Sequence, residues 1–158
     1  MYNLFCGIDP GSTGAITIIN SDGKILKSVK MPDTLQDAWN VLEEFREEIG
    51  KGKMYATTEN VWAMQGNGVS GAFTFGYNVC IADSIPLYNK VPYDRIISSK
   101  WMKFFGMTRN PSQESETTWK TRLYCKCQQL FPGEKFYKYQ ADSILIAEYT
   151  RRTKLNIS

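Results

Sequence analysis

Leu4-Phe5-Cys6-Gly7-Ile8-Asp9-Pro10-Gly11-Ser12-Thr13-Gly14-Ala15-Ile16-Thr17-Ile18-Ile19-Asn20 is the stretch from which the fold is read. Two apolar runs flank a Pro-Gly-Ser-Thr-Gly segment, which predicts strands over 4–9 and 15–20 with a break between them. Ser21-Asp22-Gly23 is a turn signal, and 24–31 alternates well enough to return as a third strand. Thr34, with Asp37 three residues on, resembles a capping box. It opens a helix whose Leu35, Ala38, Leu42, Phe45 and Ile49 keep helical spacing until Gly50 and Gly52. A fourth strand is predicted over 54–60 and a helix over 69–82, with Val69, Ala72, Phe73, Gly76, Val79 and Cys80 on one side. A fifth strand is predicted over 87–91, a short helix over 99–105, a polar loop over 106–118, and helices over 119–131 and 141–149. Three antiparallel strands, then two strands separated by helices, imply an α/β fold: a mixed sheet with helices on both faces.

Composition narrows the chemistry. The 158 residues have the length of a single domain, 1–158, with no repeat or linker to divide it. No apolar run reaches the roughly 18 residues of a membrane span. The N-terminus lacks a basic region and a cleavable apolar core, so the expected location is the cytoplasm. Cys6, Cys80, Cys125 and Cys127 include no C-x₂-C pair and are expected to be reduced and mostly in the core. There is no histidine, which removes Ser-His-Asp and Cys-His catalysis. Acid–base or metal chemistry must rest on carboxylates, lysines, hydroxyls or water. The net charge of +3 divides unevenly: residues 1–89 carry 6 basic and 10 acidic side chains, and residues 90–158 carry 13 and 6. A basic half beside an acidic half suits a polyanion-binding face next to a carboxylate cluster.

Three acids are placed to form such a cluster. Asp9 ends the first strand and Glu59 the fourth. If those strands are parallel neighbours, both carboxylates emerge at one edge of the sheet, where α/β proteins build their sites. Asp142 begins the last helix, which can pack across that edge. Phosphodiester hydrolysis gives the cluster a purpose: carboxylates bind Mg²⁺, and two ions about 4 Å apart activate the attacking water and stabilise the leaving 3′ oxygen. Each acid also has a plainer role. Asp9 before Pro-Gly suits a turn, and Asp142 in a first helical turn complements the macrodipole. Glu59 is hardest to dismiss, because a charge ending a buried strand is costly without a partner. The Gly/Ser/Thr turn after Asp9 also suits a phosphate cradle of the sugar-kinase or actin type, but those folds use two such domains.

Gly7-Ile8-Asp9-Pro10-Gly11-Ser12-Thr13-Gly14 resembles the first motif of the RuvC Holliday-junction resolvases. Glu59-Asn60-Val61-Trp62 and the small, apolar segment over 66–82 resemble the second motif and its helix. Ala141-Asp142-Ser143-Ile144-Leu145-Ile146-Ala147 resembles the closing Ala-Asp-Ala helix. The order of the three motifs is also the family's. The resemblance implies an RNase H-like fold, a five-stranded mixed sheet in the order 3-2-1-4-5. It implies a homodimer whose two sites nick opposed strands of a four-way junction, with Asp9, Glu59 and Asp142 holding two Mg²⁺ ions (Mn²⁺ substituting). Trp62 falls where the family places an aromatic that wedges into the junction centre, and stacking on an unpaired base suits it. The chain departs from the family at Tyr139, where many members have a fourth acid or a histidine; Lys138 and Gln140 beside it are not acids.

Lys100, Lys103, Arg109, Lys120 and Arg122 are interleaved with Trp101, Phe104, Phe105 and Trp119. The bases suit phosphate contacts and the aromatics anchor the helices that carry them. A lysine beside the scissile phosphate stabilises transition-state charge, and Lys100 is assigned that role. The expected protein is a Mg²⁺-dependent endonuclease that nicks Holliday junctions, forks and three-way junctions, in a divergent, phage-type version acting in the host cytoplasm. The alternatives are another RNase H-like nuclease that cuts RNA:DNA hybrids, and a junction-binding module without catalysis.

Overall fold

Alternation along the first strand sorts its side chains to two faces. In the computed structural model, which describes residues 1–50, 52–61 and 68–157, this strand is β1 (Leu4–Asp9). Leu4, Cys6 and Ile8 join one apolar cluster; Phe5 joins another, beside Ala147. Antiparallel β2 (Ala15–Asn20) and β3 (Ile25–Lys30) follow as a meander, with Asp9 paired to Ala15 across the first turn. α1 (Leu35–Ile49) starts where Thr34 accepts the Asp37 backbone N–H, and β4 (Met54–Glu59) then lies parallel to β1. α2 (Val69–Tyr88) leads to β5 (Tyr93–Ile96), parallel to β4. The sheet order is β3-β2-β1-β4-β5.

One face of the sheet is covered by α1 and the second half of α2, through Ala38, Leu42, Phe45, Ile81 and Ile85. The other is covered by α3 (Ser98–Phe104), α4 (Glu116–Leu130) and α5 (Ala141–Leu155), the last preceded by a 3₁₀ turn, Lys138–Gln140. Gly7 is where α5 crosses β1. A Cβ there would stand 2.2 Å from the Ser143 carbonyl oxygen and 2.3 Å from the Ala147 nitrogen, so no other residue permits this approach. Among the described residues no helix is long and apolar enough to cross a membrane.

Four expectations need correction. The fifth strand is 93–96, not 87–91, because α2 runs through Pro86 to Tyr88. Asn89 secures that end: its side-chain amide donates to the carbonyls of Ile85 and Trp39, each at 2.9 Å. Cys80 and Cys125 are exposed, leaving only Cys6 and Cys127 in the core. The expected apolar side of α2 faces outward over its first half, because the helix meets the sheet only from Ile81 onward. Finally, α5 continues past Tyr149 to Leu155, where Asn156 takes the left-handed cap conformation.

Candidate active site

Strand parity brings the acids together. Asp9 shares the α5 face of β1 with Phe5 and Gly7, and Glu59 shares the same face of β4 with Tyr55. The parallel ladder runs to Ile8 opposite Thr58, one residue short of both acids, so they leave the sheet side by side. Gly7 then lets α5 sit close enough for Asp142, in its first turn, to come alongside. A buried chain of hydroxyls fixes that end of the helix: Thr17 Oγ1 lies 2.7 Å from Ser143 Oγ and 2.7 Å from Ser28 Oγ. Glu59 accepts a hydrogen bond of 3.0 Å from the Trp101 indole Nε1, which α3 carries in from the side.

The cluster holds more negative charge than its surroundings compensate. Burial, reinforced by the charges of Asp142 and Glu59, pushes the Asp9 carboxyl well above the ordinary carboxylate range; Lys120 opposes this. Burial raises Glu59 as well, against hydrogen bonds from Ser98 and Trp101 that favour its ionised form. Lys120, on α4, reaches Asp142 Oδ2 as an ion pair. Burial would lower the Lys120 ammonium, but the charges of Asp142 and Asp9 outweigh it and hold the group above its usual value.

The remaining residues singled out from sequence are spread more widely. Lys120, expected only to contact DNA, is the lysine at the carboxylates. Lys100 instead lines a cavity with Asp94, Tyr149 and Lys154 on another side of α3. Lys103 is exposed beside Ser99, Met107 and Arg109. Arg109 pairs with Glu116 at 2.6 Å, and Arg122 pairs with Glu114 while lying over the Trp119 ring. Trp62 lies outside the described residues. Sequence reasoning missed Trp101 and Ser98 as partners of Glu59. Only their position, at the start of a short helix after the fifth strand, hinted at it.

The donors fit a hard divalent cation by chemistry: three carboxylates, with Asp142 Oδ1 buried and without a hydrogen-bond partner. As placed, no three acidic or thiol side chains among the described residues form a closed ligand group. The ammonium of Lys120 meets the charge of Asp142.

No family model matches the chain, and no curated protein matches it in sequence. Two solved structures match it over nearly its whole length. Thermus thermophilus RuvC in complex with a Holliday junction substrate is 12% identical with a TM-score of 0.64, covering 98% of this chain and 97% of that one. A second structure of Thermus thermophilus RuvC is 14% identical with a TM-score of 0.62 and the same coverage. The five-stranded mixed sheet, its order 3-2-1-4-5 and its flanking helices are those of the RNase H-like fold of RuvC.

Proposed function

We propose that this chain is a divalent-metal-dependent endodeoxyribonuclease that nicks Holliday junctions and other branched DNA by phosphodiester hydrolysis, working as a homodimer. The observation that carries the reading is the meeting of Asp9, Glu59 and Asp142, from three distant parts of the sequence, with an orphaned buried oxygen among them. These three would hold the metal. Bound there, Mg²⁺ (or Mn²⁺, two ions per site) would supply an activated water and charge neutralisation for the leaving 3′ oxygen. Trp101 holds Glu59 in one orientation through the indole N–H. Lys120, paired to Asp142, would stabilise the charge gathering on the phosphate. Lys100 and Lys103 neutralise flanking phosphates from α3, and Trp62 stacks at the branch point.

The dimer reading is supported by α2. Val69, Phe73 and Tyr77 are 91%, 78% and 45% exposed and fall at helical spacing along one stripe. A Cβ at Gly68 or Gly76 would meet nothing within 4 Å. A second copy of the helix fits such a surface, and two sites related by a twofold axis suit paired nicks on opposed strands.

The test is cleavage of an end-labelled four-way junction with and without Mg²⁺, beside linear duplex and an RNA:DNA hybrid, for wild type and Asp9→Asn. Paired nicks near the branch that need Mg²⁺ and vanish in the variant are expected. Hybrid cleavage alone would assign the chain to a ribonuclease branch instead. A second reading, junction binding without cleavage, draws on the lack of a closed ligand group among the described residues and on Tyr139. Metal-independent binding without nicks would select it.

A further inference from the structure

Two tyrosines stand uncovered at the turn that leads into α5. Tyr137 and Tyr139 stack with centroids 5.8 Å apart and planes within 10°, yet they are 70% and 40% exposed. The turn that presents them is pinned from below. Buried Gln140 donates its side-chain amide to the Ser28 carbonyl of β3 at 3.1 Å and accepts the Tyr137 backbone N–H at 2.7 Å. Its own backbone N–H donates to the Tyr137 carbonyl at 3.0 Å. Exposed aromatic faces held this firmly are prepared for a ligand at little further ordering cost.

The adjoining space has matching chemistry. Thr13, Lys120, Lys138 and Tyr139 line a cavity of about 410 Å³, and its Lys120 is the lysine paired to Asp142. Lys138 is steadied by donating to Thr121 Oγ1 at 2.9 Å. Among the described residues no acid lines this cavity. Aromatic faces flanked by lysines suit single-stranded nucleic acid, in which bases stack and phosphates follow the positive charge. Bases inside a duplex have no free face to offer.

Resting on the nuclease reading, we propose that Tyr137 and Tyr139 form a stacking platform for an unpaired nucleotide next to the scissile phosphate, with Lys120 and Lys138 on its backbone. The platform selects substrates that present an unstacked base at the cut.

The test is equilibrium binding by the full chain in chelator. The probes are a short oligodeoxythymidine and a four-way junction carrying 2-aminopurine beside the branch, with junction cleavage in Mg²⁺ measured in parallel. Tyr137→Ala and Tyr139→Ala should each weaken oligonucleotide binding on the order of 10-fold and relieve 2-aminopurine quenching. Tyr139→Phe, which keeps the ring, should bind within about twofold of wild type. Both positions are exposed, so melting temperatures should match wild type and show that the variants fold. Wild-type binding and quenching in the Tyr137→Ala, Tyr139→Ala double variant would overturn the platform while leaving junction cleavage by wild type standing. Tyrosine-dependent binding without any DNA cleavage would keep the platform and remove the nuclease. Binding of neither probe by wild type would overturn the platform, and cleavage in Mg²⁺ would then decide the nuclease reading by itself.

Discussion

Helix α5 carries two buried acids in opposite surroundings. Glu148 is 3% exposed and fully answered: Arg151 donates to both of its oxygens at 2.8 Å, and Arg152 donates at 2.7 Å. Arg151 is anchored in turn to the Ser21 carbonyl at 2.9 Å. Asp142 is 6% exposed, pairs with one lysine, leaves Oδ1 without a partner and faces two more acids. The first arrangement ties the end of α5 to the β2–β3 turn and is complete without a ligand. The second leaves buried negative charge only partly answered, which is the feature the proposed metal site rests on.

The contrast breaks most visibly by neutralisation. Asp9→Asn or Asp142→Asn should lower junction cleavage by about 1000-fold or more. Asp9→Asn should not destabilise the metal-free fold, and the loss of repulsion from Asp142 and Glu59 should raise its melting temperature, whereas Asp142→Asn also takes the partner from Lys120 and should gain less. A large loss of stability would mean that the cluster is a structural one like that of Glu148. Glu148→Gln should do the reverse, costing about 3 kcal/mol of stability by leaving two guanidiniums under-paired. Its cleavage rate, measured well below the melting point, should be that of wild type. Loss of cleavage in folded Glu148→Gln would show that the two acids do not divide the work this way.

A smaller effect separates positioning from packing. Trp101 is fully buried and its indole N–H is given to Glu59. Trp101→Phe keeps an aromatic in the core but removes that donor. The Mg²⁺ concentration for half-maximal cleavage should rise on the order of 10-fold, as changes to groups that orient metal ligands do. A variant that loses stability while its Mg²⁺ dependence stays at wild type would make Trp101 a core residue only.

The same comparison explains what could be read from sequence. The strands 4–9 and 15–20 were predicted residue for residue, since Pro10 and Gly11 interrupt an otherwise continuous apolar run. Asp9 and Glu59 were legible because strand ends are local features. The fifth strand was misplaced because Pro86 looks like a break. The bonds from Asn89 to Trp39 and from Arg95 to Asp83, which fix the end of α2 and the start of β5, join residues far apart in sequence. The last turns of α5, beyond the predicted end at 149, escaped for a similar reason, as Arg151 reveals its role only against Ser21. Which lysine meets the acids depends on the packing of α4 against α5, and so Lys100 was named where Lys120 stands.

The smallest effect is the pH dependence, and its sign is specific to an unfinished cluster. Burial and mutual repulsion raise Asp9 and Glu59 above their ordinary values, so the folded, metal-free protein holds protons there that the unfolded chain has released. Stability contributed by these two acids is therefore present below the ordinary carboxylate range, near pH 4, and is lost as pH rises through their elevated values. Metal needs the ionised forms, so its binding competes with those protons and strengthens over the same window. The increase in melting temperature given by Mg²⁺ should grow from acid toward neutral pH by a few degrees, and Asp9→Asn should flatten the profile. Thermal melts with Mg²⁺ or chelator across that range measure it directly. An increment independent of pH would mean that the cation binds away from Asp9 and Glu59, and that the orphaned oxygen of Asp142 marks a site the other two acids do not share.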